Sequence, residues 1–99
     1  MSISLILTPH AEKDFDIAYE WYEHQDSGLG KEFARCVDVK IAHLHRNPFH
    51  YQIIANKDVR RALVSRFPYS IYFISEPELI TIFAILHQHQ NPENWKSRT

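Results

Sequence analysis

Apolar residues recur with a helical period in the first half of the chain and change to a strand-like pattern in the second. Ile3 to Leu7 is a short strand candidate. Thr8-Pro9 then supplies a helix start, with a hydroxyl at the N-cap and a proline whose missing N–H costs nothing at the first helical position. Ala11, Phe15, Ala18 and Tyr22 follow at steps of four, three and four, which places them on one stripe. Asp26-Ser27-Gly28 breaks the pattern. Leu29, Phe33, Val37, Ile41 and Leu44 rebuild it in a second helix from about Leu29 to Arg46, and Asn47-Pro48 ends that helix. Two short-linked helices with facing apolar stripes predict an antiparallel hairpin.

Strand candidates follow at about Tyr51 to Ala55, Val59 to Phe67, Tyr69 to Ser75 and Leu79 to His87. Asn56-Lys57-Asp58, Phe67-Pro68 and Glu76-Pro77-Glu78 punctuate them. The links are short, so the strands are expected to pair as an antiparallel meander. Leu79 to Leu86 is apolar on both faces and therefore needs cover on each side. The hairpin can cover one. For the other, two sources stand open: the tail around Pro92 to Trp95 or a partner protein. The expected architecture is α+β, in the order N-terminal strand, helical hairpin, sheet, and short C-terminal helix or tail.

Composition sets the frame. With 99 residues, 44% hydrophobic and 23% charged, the chain fits one globular domain spanning 1–99. Its one cysteine, Cys36, at the edge of the second helical stripe, reads as a small core residue and agrees with a reducing compartment. No leader and no bilayer-length apolar run are visible, so a soluble cytoplasmic protein without a membrane partner is expected. The net charge of −1 conceals an asymmetry. Residues 11–32 carry seven acids against two bases, and residues 33–70 carry seven bases against two acids. Any anion-binding surface is therefore local to the second third; the alternative is that both charged faces are simply solvated.

The basic third also carries a resemblance. Val59-Arg60-Arg61-Ala62-Leu63 and Arg66-Phe67-Pro68-Tyr69-Ser70-Ile71-Tyr72-Phe73 resemble the signature of RelE/ParE-type toxins of type II toxin–antitoxin systems. So do Ile82-Phe83-Ala84-Ile85-Leu86-His87 and Asn91-Pro92-Glu93-Asn94-Trp95. Thr8 to Asp14, Gly28 to Phe33 and Asn47-Pro48 are similar to the ParE branch, which includes plasmid stabilisation proteins. The pieces occur in the expected order from about residue 5 to residue 98. The resemblance implies a cognate antitoxin, encoded nearby, that wraps an extended and helical segment around the toxin. It also implies one of two targets. RelE-like members cleave mRNA in the ribosomal A site, whereas ParE-like members block DNA gyrase.

Metal-free RNA cleavage needs a proton acceptor, a proton donor and cations for the pentacovalent phosphate. Arg60, Arg61 and Arg66 can supply charge, and His87 can act as acid or base, giving Arg61, Arg66 and His87 as the ribonuclease candidates. Yet Gln88, His89 and Gln90 stand where the resemblance leads one to expect arginine, and the end, Asn94 to Thr99, has no tyrosine. Lysine pairs of the RelE kind are also missing. These departures favour gyrase inhibition over cleavage, and leave open a repurposed member that only binds a protein partner.

Target- or partner-binding candidates are Arg60, Arg61, Arg66, Tyr69, Tyr72, His87 and Trp95. Plainer roles compete with each. Arg60 and Arg61 must point to opposite faces of a strand, so one is expected to snorkel or to pair with the acidic first helix. Tyr69 and Tyr72 also face opposite ways, so one is expected in the core. Trp95 reads as a plug over the sheet as readily as a stacking platform, and His87 as a cap on a core edge. The pairs His43/His45 and His87/His89 lack a ligand partner at zinc spacing, so neither a metal nor another cofactor is expected.

Overall fold

A computed structural model describes residues 3–98. β1 (Ser4–Leu7) leads into α1 (Pro9–Gln25) and α2 (Leu29–Arg46). β2 (Ile53–Ala55), β3 (Val59–Leu63), β4 (Tyr69–Ser75) and β5 (Leu79–His87) follow, and α3 (Glu93–Lys96) closes the chain. The sheet order is β1-β5-β4-β3-β2. The meander expected from the short links is present, and β1 adds to its far side parallel to β5, which makes the sheet mixed.

Local chemistry fixes the helix ends. Thr8 is extended, its hydroxyl accepts from the Ala11 N–H at 3.2 Å, and Pro9 occupies the first helical position. The second helix has no such side chain at its own start, because Gly28 takes a left-handed φ of 91° there. Glu23 of α1 supplies the cap instead: its two carboxylate oxygens accept from the Gly28 and Gly30 N–H groups, each at 2.9 Å. One carboxylate near the end of the first helix thus caps the start of the second, while the Asp26 N–H closes the first on the Tyr22 carbonyl.

The apolar stripes meet as expected. Ala11, Ala18, Phe33, Val37 and Leu44 are buried against Ala62, Ile71, Phe73, Ile80, Ile82 and Ile85 of the sheet. Phe33 is fully buried, with ring centroids of Phe15, Tyr22, Phe67 and Tyr69 at 5.1–5.7 Å. On the opposite face Val59, Tyr72, Phe83, Ala84 and Leu86 are buried under Trp95. The tail therefore covers part of the second face itself.

A bulge explains why β5 reads apolar on both sides. Tyr72 pairs with Ala84 and Phe73 with Ile82, so Phe83 is the extra residue. Ile82 and Ile85, three apart, both face the helices, while Phe83, Ala84 and Leu86 face the tail.

Two expected strands are shorter than the pattern suggested. The strand expected from Tyr51 begins only at Ile53, because Pro48–His50 forms a 3-10 turn and Tyr51 packs its ring on Phe73 at 5.9 Å. The strand expected to reach Phe67 ends at Leu63. The Val64 N–H returns to the Tyr69 carbonyl at 2.9 Å, and Arg66 takes a φ of 72°. Phe67 then drops into the core, and Pro68 has no N–H to extend a ladder. Arg66 consequently lies in a turn, not on a strand. No helix among the described residues is long and apolar enough to cross a membrane.

Candidate functional site

The fold distributes the candidate residues over four places. At the end of the sheet where β4 begins and β5 finishes, Tyr69 pairs with His87 across the ladder, their rings 5.4 Å apart. Both face the helical side, where Ile17, Trp21 and Tyr22 of α1 and Pro68 complete a cleft of about 450 Å³. Tyr22 lies edge-on to Tyr69 at 6.0 Å and to Trp21 at 5.2 Å. Burial pushes the Tyr69 hydroxyl above its ordinary range, with smaller contributions from Tyr22 and Asp14. His87 is held by its own turn: its Nδ1 accepts from the His89 N–H at 3.1 Å, and its N–H donates to Gln90 Oε1 at 3.0 Å.

On the other face of the sheet lie Arg61, Tyr72 and Trp95. Tyr72 and Trp95 stack at 5.1 Å with 19° between planes, and Trp95 is only 6% exposed. That geometry fits a plug and leaves little ring area for a nucleobase. Arg61 is exposed and pairs with Tyr72 in the β3–β4 ladder. Tyr69 and Tyr72 thus divide between the faces as their spacing requires.

The remaining arginines serve elsewhere. Arg60 does not pair with the acidic first helix; its guanidinium donates to the Tyr51 carbonyl at 2.6 Å and lies 5.0 Å over the Phe49 ring. Arg66 reaches α2, donating to Glu32 at 3.1 Å. The ribonuclease candidates are therefore not brought together: Arg61 and His87 lie on opposite faces, and Arg66 is engaged with Glu32.

Of the histidine pairs, His87 and His89 stay together, their rings 5.3 Å apart, whereas His43 and His45 diverge. His43 shares a hydrogen bond with the Tyr51 hydroxyl, and His45 with the Ile3 carbonyl. Among the described residues no three His, Cys, Asp or Glu side chains gather where they could hold an ion.

Two features escaped the sequence reading. Ile17 and Trp21 are 60% and 57% exposed, an apolar pair beside the buried stripe. Their spacing of four, one position ahead of Ala18 and Tyr22, is the signal that widened the stripe on one flank. The second feature is a partly buried ion pair between Arg98 and Asp14.

The order of elements and the paired helices on a mixed sheet match known proteins. The family described as "ParE toxin of type II toxin-antitoxin system, parDE" matches residues 5–92. The chain belongs to the ParE toxin family. Among solved structures it is similar to a chain of the "Chromosomal ParDE TA system from P. aeruginosa", at 20% identity and a TM-score of 0.77. The match covers 86% of this chain and 95% of that one, and at this identity it speaks for the ParE fold alone. No curated protein matches the chain. The resemblance to the ParE branch of RelE/ParE toxins thus holds at the level of family and fold.

Proposed function

We propose that this ParE-family chain is the toxin of a type II pair, that it blocks DNA gyrase, and that a cognate antitoxin encoded nearby neutralises it. The observation that carries this reading is the family match over residues 5–92. The layout of polar groups supports it. Blocking a protein target needs a surface, whereas cutting RNA needs proton-transfer groups and phosphate-stabilising cations at one point. Arg61 and His87 on opposite sides of the sheet do not offer one. The exposed Ile17 and Trp21, beside the cleft under Tyr69 and His87, offer an apolar anchor point for a protein partner.

The test sets a gyrase supercoiling assay beside a ribosome-programmed mRNA cleavage assay, using purified protein. Inhibition of supercoiling, or trapping of cleaved DNA with gyrase, is the expected result, relieved by the product of the neighbouring gene. Codon-periodic mRNA cuts that disappear in Arg61→Ala or His87→Ala would overturn the proposal in favour of a RelE-like ribonuclease. Inactivity in both assays, with normal growth during expression, would leave a repurposed protein-binding member.

A further inference from the structure

Three of the seven bases between residues 33 and 70 meet at a place that the toxin reading does not use. Arg35, Lys40 and His43 of α2 lie within eight positions on one side of the helix, and Ser65 and Arg66 approach them from the β3–β4 turn. Between them is a cleft of about 360 Å³, with Cys36 and Val39 also lining it. That volume falls within the range of small-molecule sites.

Three observations point to an anion. One carboxylate already sits at the rim: Glu32 Oε2 accepts from Arg35 at 2.5 Å and from Arg66 at 3.1 Å. A single oxygen bridging two guanidinium groups leaves most of their donors unused, since each presents five N–H groups. Second, Arg66 holds a φ of 72°, a conformation that disfavours any residue with a Cβ, and the turn that imposes it carries Arg66 across to α2. Third, His43 is oriented by its hydrogen bond to Tyr51, over whose ring Lys40 sits at 6.0 Å.

We infer that this cleft between α2 and the β3–β4 turn binds a phosphate group, with Glu32 as the internal carboxylate that the phosphate displaces. Arg35, Arg66 and Lys40 supply charge, and Ser65 and His43 supply further donors. A phosphate carries more charge than a carboxylate and presents more than two acceptor oxygens, so it can engage donors that Glu32 leaves unused. The apolar floor at Cys36 and Val39 suits the ester side of the group. A free nucleotide presents such a terminal phosphate, whereas a nucleic-acid backbone presents phosphodiesters of one charge and two free oxygens each and would engage these donors through neighbouring phosphates. The assignment stands independently of the gyrase reading and would survive its failure.

The test is a titration of the full chain, followed by amide and imidazole NMR shifts and by calorimetry, with inorganic phosphate, AMP, ATP and a short single-stranded DNA as probes. Saturable shifts at Cys36, Val39, His43, Ser65 and Arg66 are expected. Tighter binding of ATP or AMP identifies a nucleotide as the source, and tighter binding of DNA identifies a backbone. Glu32→Gln removes the competing carboxylate and should tighten phosphate binding about tenfold, the scale of one charge-assisted hydrogen bond. Arg66→Gly suits the positive φ, so it keeps the turn while weakening binding by roughly the same factor. Lys40→Gln should also weaken it. Absence of saturable shifts with every probe would overturn the proposal, as would weaker binding in Glu32→Gln. A polyglutamate peptide binding as tightly as the phosphate probes would overturn it too, by making the cleft a carboxylate site.

Discussion

Arg98 closes on Asp14 across 84 positions of sequence, with Nη1 to Oδ2 at 2.6 Å and Nη2 to Oδ1 at 3.2 Å. The same pair finishes the edge of β5. β1 stops pairing at Leu7, opposite Ile82, and the bulge follows at once. Beyond that point the Phe83 carbonyl accepts from Arg98 at 3.1 Å, and the Ile85 N–H donates to Asp14 Oδ2 at 3.1 Å. Two side chains thus occupy the backbone groups that a longer β1 would have paired.

Removing either partner should therefore cost more than a surface ion pair. Both side chains are mostly buried, at 17% and 11% exposure. Arg98→Ala or Asp14→Ala is expected to lose roughly 2–4 kcal/mol, between surface and fully buried values. Urea unfolding of the single and double variants checks this. A double variant as unstable as the sum of the singles would show that the two groups act separately.

The helical core allows a sharper number. Phe33 is fully buried among four aromatic rings, so Phe33→Ala should destabilise by about 3–5 kcal/mol. A domain of this size has little more than that to lose. An unchanged melting temperature would contradict the packing described.

Gly30 inverts an ordinary rule. Alanine in a helix is favoured over glycine by about 1 kcal/mol. A Cβ at Gly30, however, would lie 2.8 Å from the Tyr19 carbonyl oxygen and 2.8 Å from Glu23 Oε1. Gly30→Ala should therefore be destabilising, and thermal melts would read the sign directly. A stabilised variant would mean that the two helices can separate at no cost.

Acid should loosen the same junction. The Gly28 N–H, above all, holds the Glu23 carboxyl below its ordinary value of 4.5. A depressed folded value means that the contribution is present above pH 4.5 and fades as pH falls through the lower folded value. Glu32 behaves alike, held down first by its hydrogen bond to Arg35. Glu23→Gln should therefore flatten the loss of stability below pH 4.5, measured as the urea midpoint against pH. An equally steep loss in the variant would remove Glu23 from the account.

These residues also mark where sequence reading succeeds and stops. Thr8-Pro9 and the spacing of Phe15, Tyr22, Phe33 and Val37 announce both helices, because caps and apolar period are local properties. The family resemblance likewise rests on short segments read in order. The bulge at Phe83 is not legible, since an apolar residue fits either face of a doubly covered strand. Arg66 could not be assigned to a turn from pattern alone, because nothing in Ser65-Arg66-Phe67 announces a positive φ. Glu23 and Asp14 looked like solvated helix acids; only the chain path brings Gly28 and Arg98 to them. The candidate list named residues by type and position on a strand, so it could not see that Arg61 and His87 would be separated by the sheet.

Trp95 offers a way to separate a structural role from a functional one. Its ring stacks on Tyr72, lies 6.5 Å from Phe83, and is the main apolar cover that α3 contributes to the second face of the sheet. Trp95→Ala should cost about 3–5 kcal/mol and expose Val59, Leu86 and Tyr72 to solvent. Trp95→Phe keeps an aromatic ring on Tyr72 and should recover most of that loss. Hydrogen exchange at the β4 and β5 amides would follow the uncovering, and induced expression without the neighbouring gene would report growth arrest. If Trp95 only plugs the sheet, arrest should fall with stability in the alanine variant and return with it in the phenylalanine variant. A phenylalanine variant as stable as the parent that no longer arrests growth would instead place the indole itself in contact with the target.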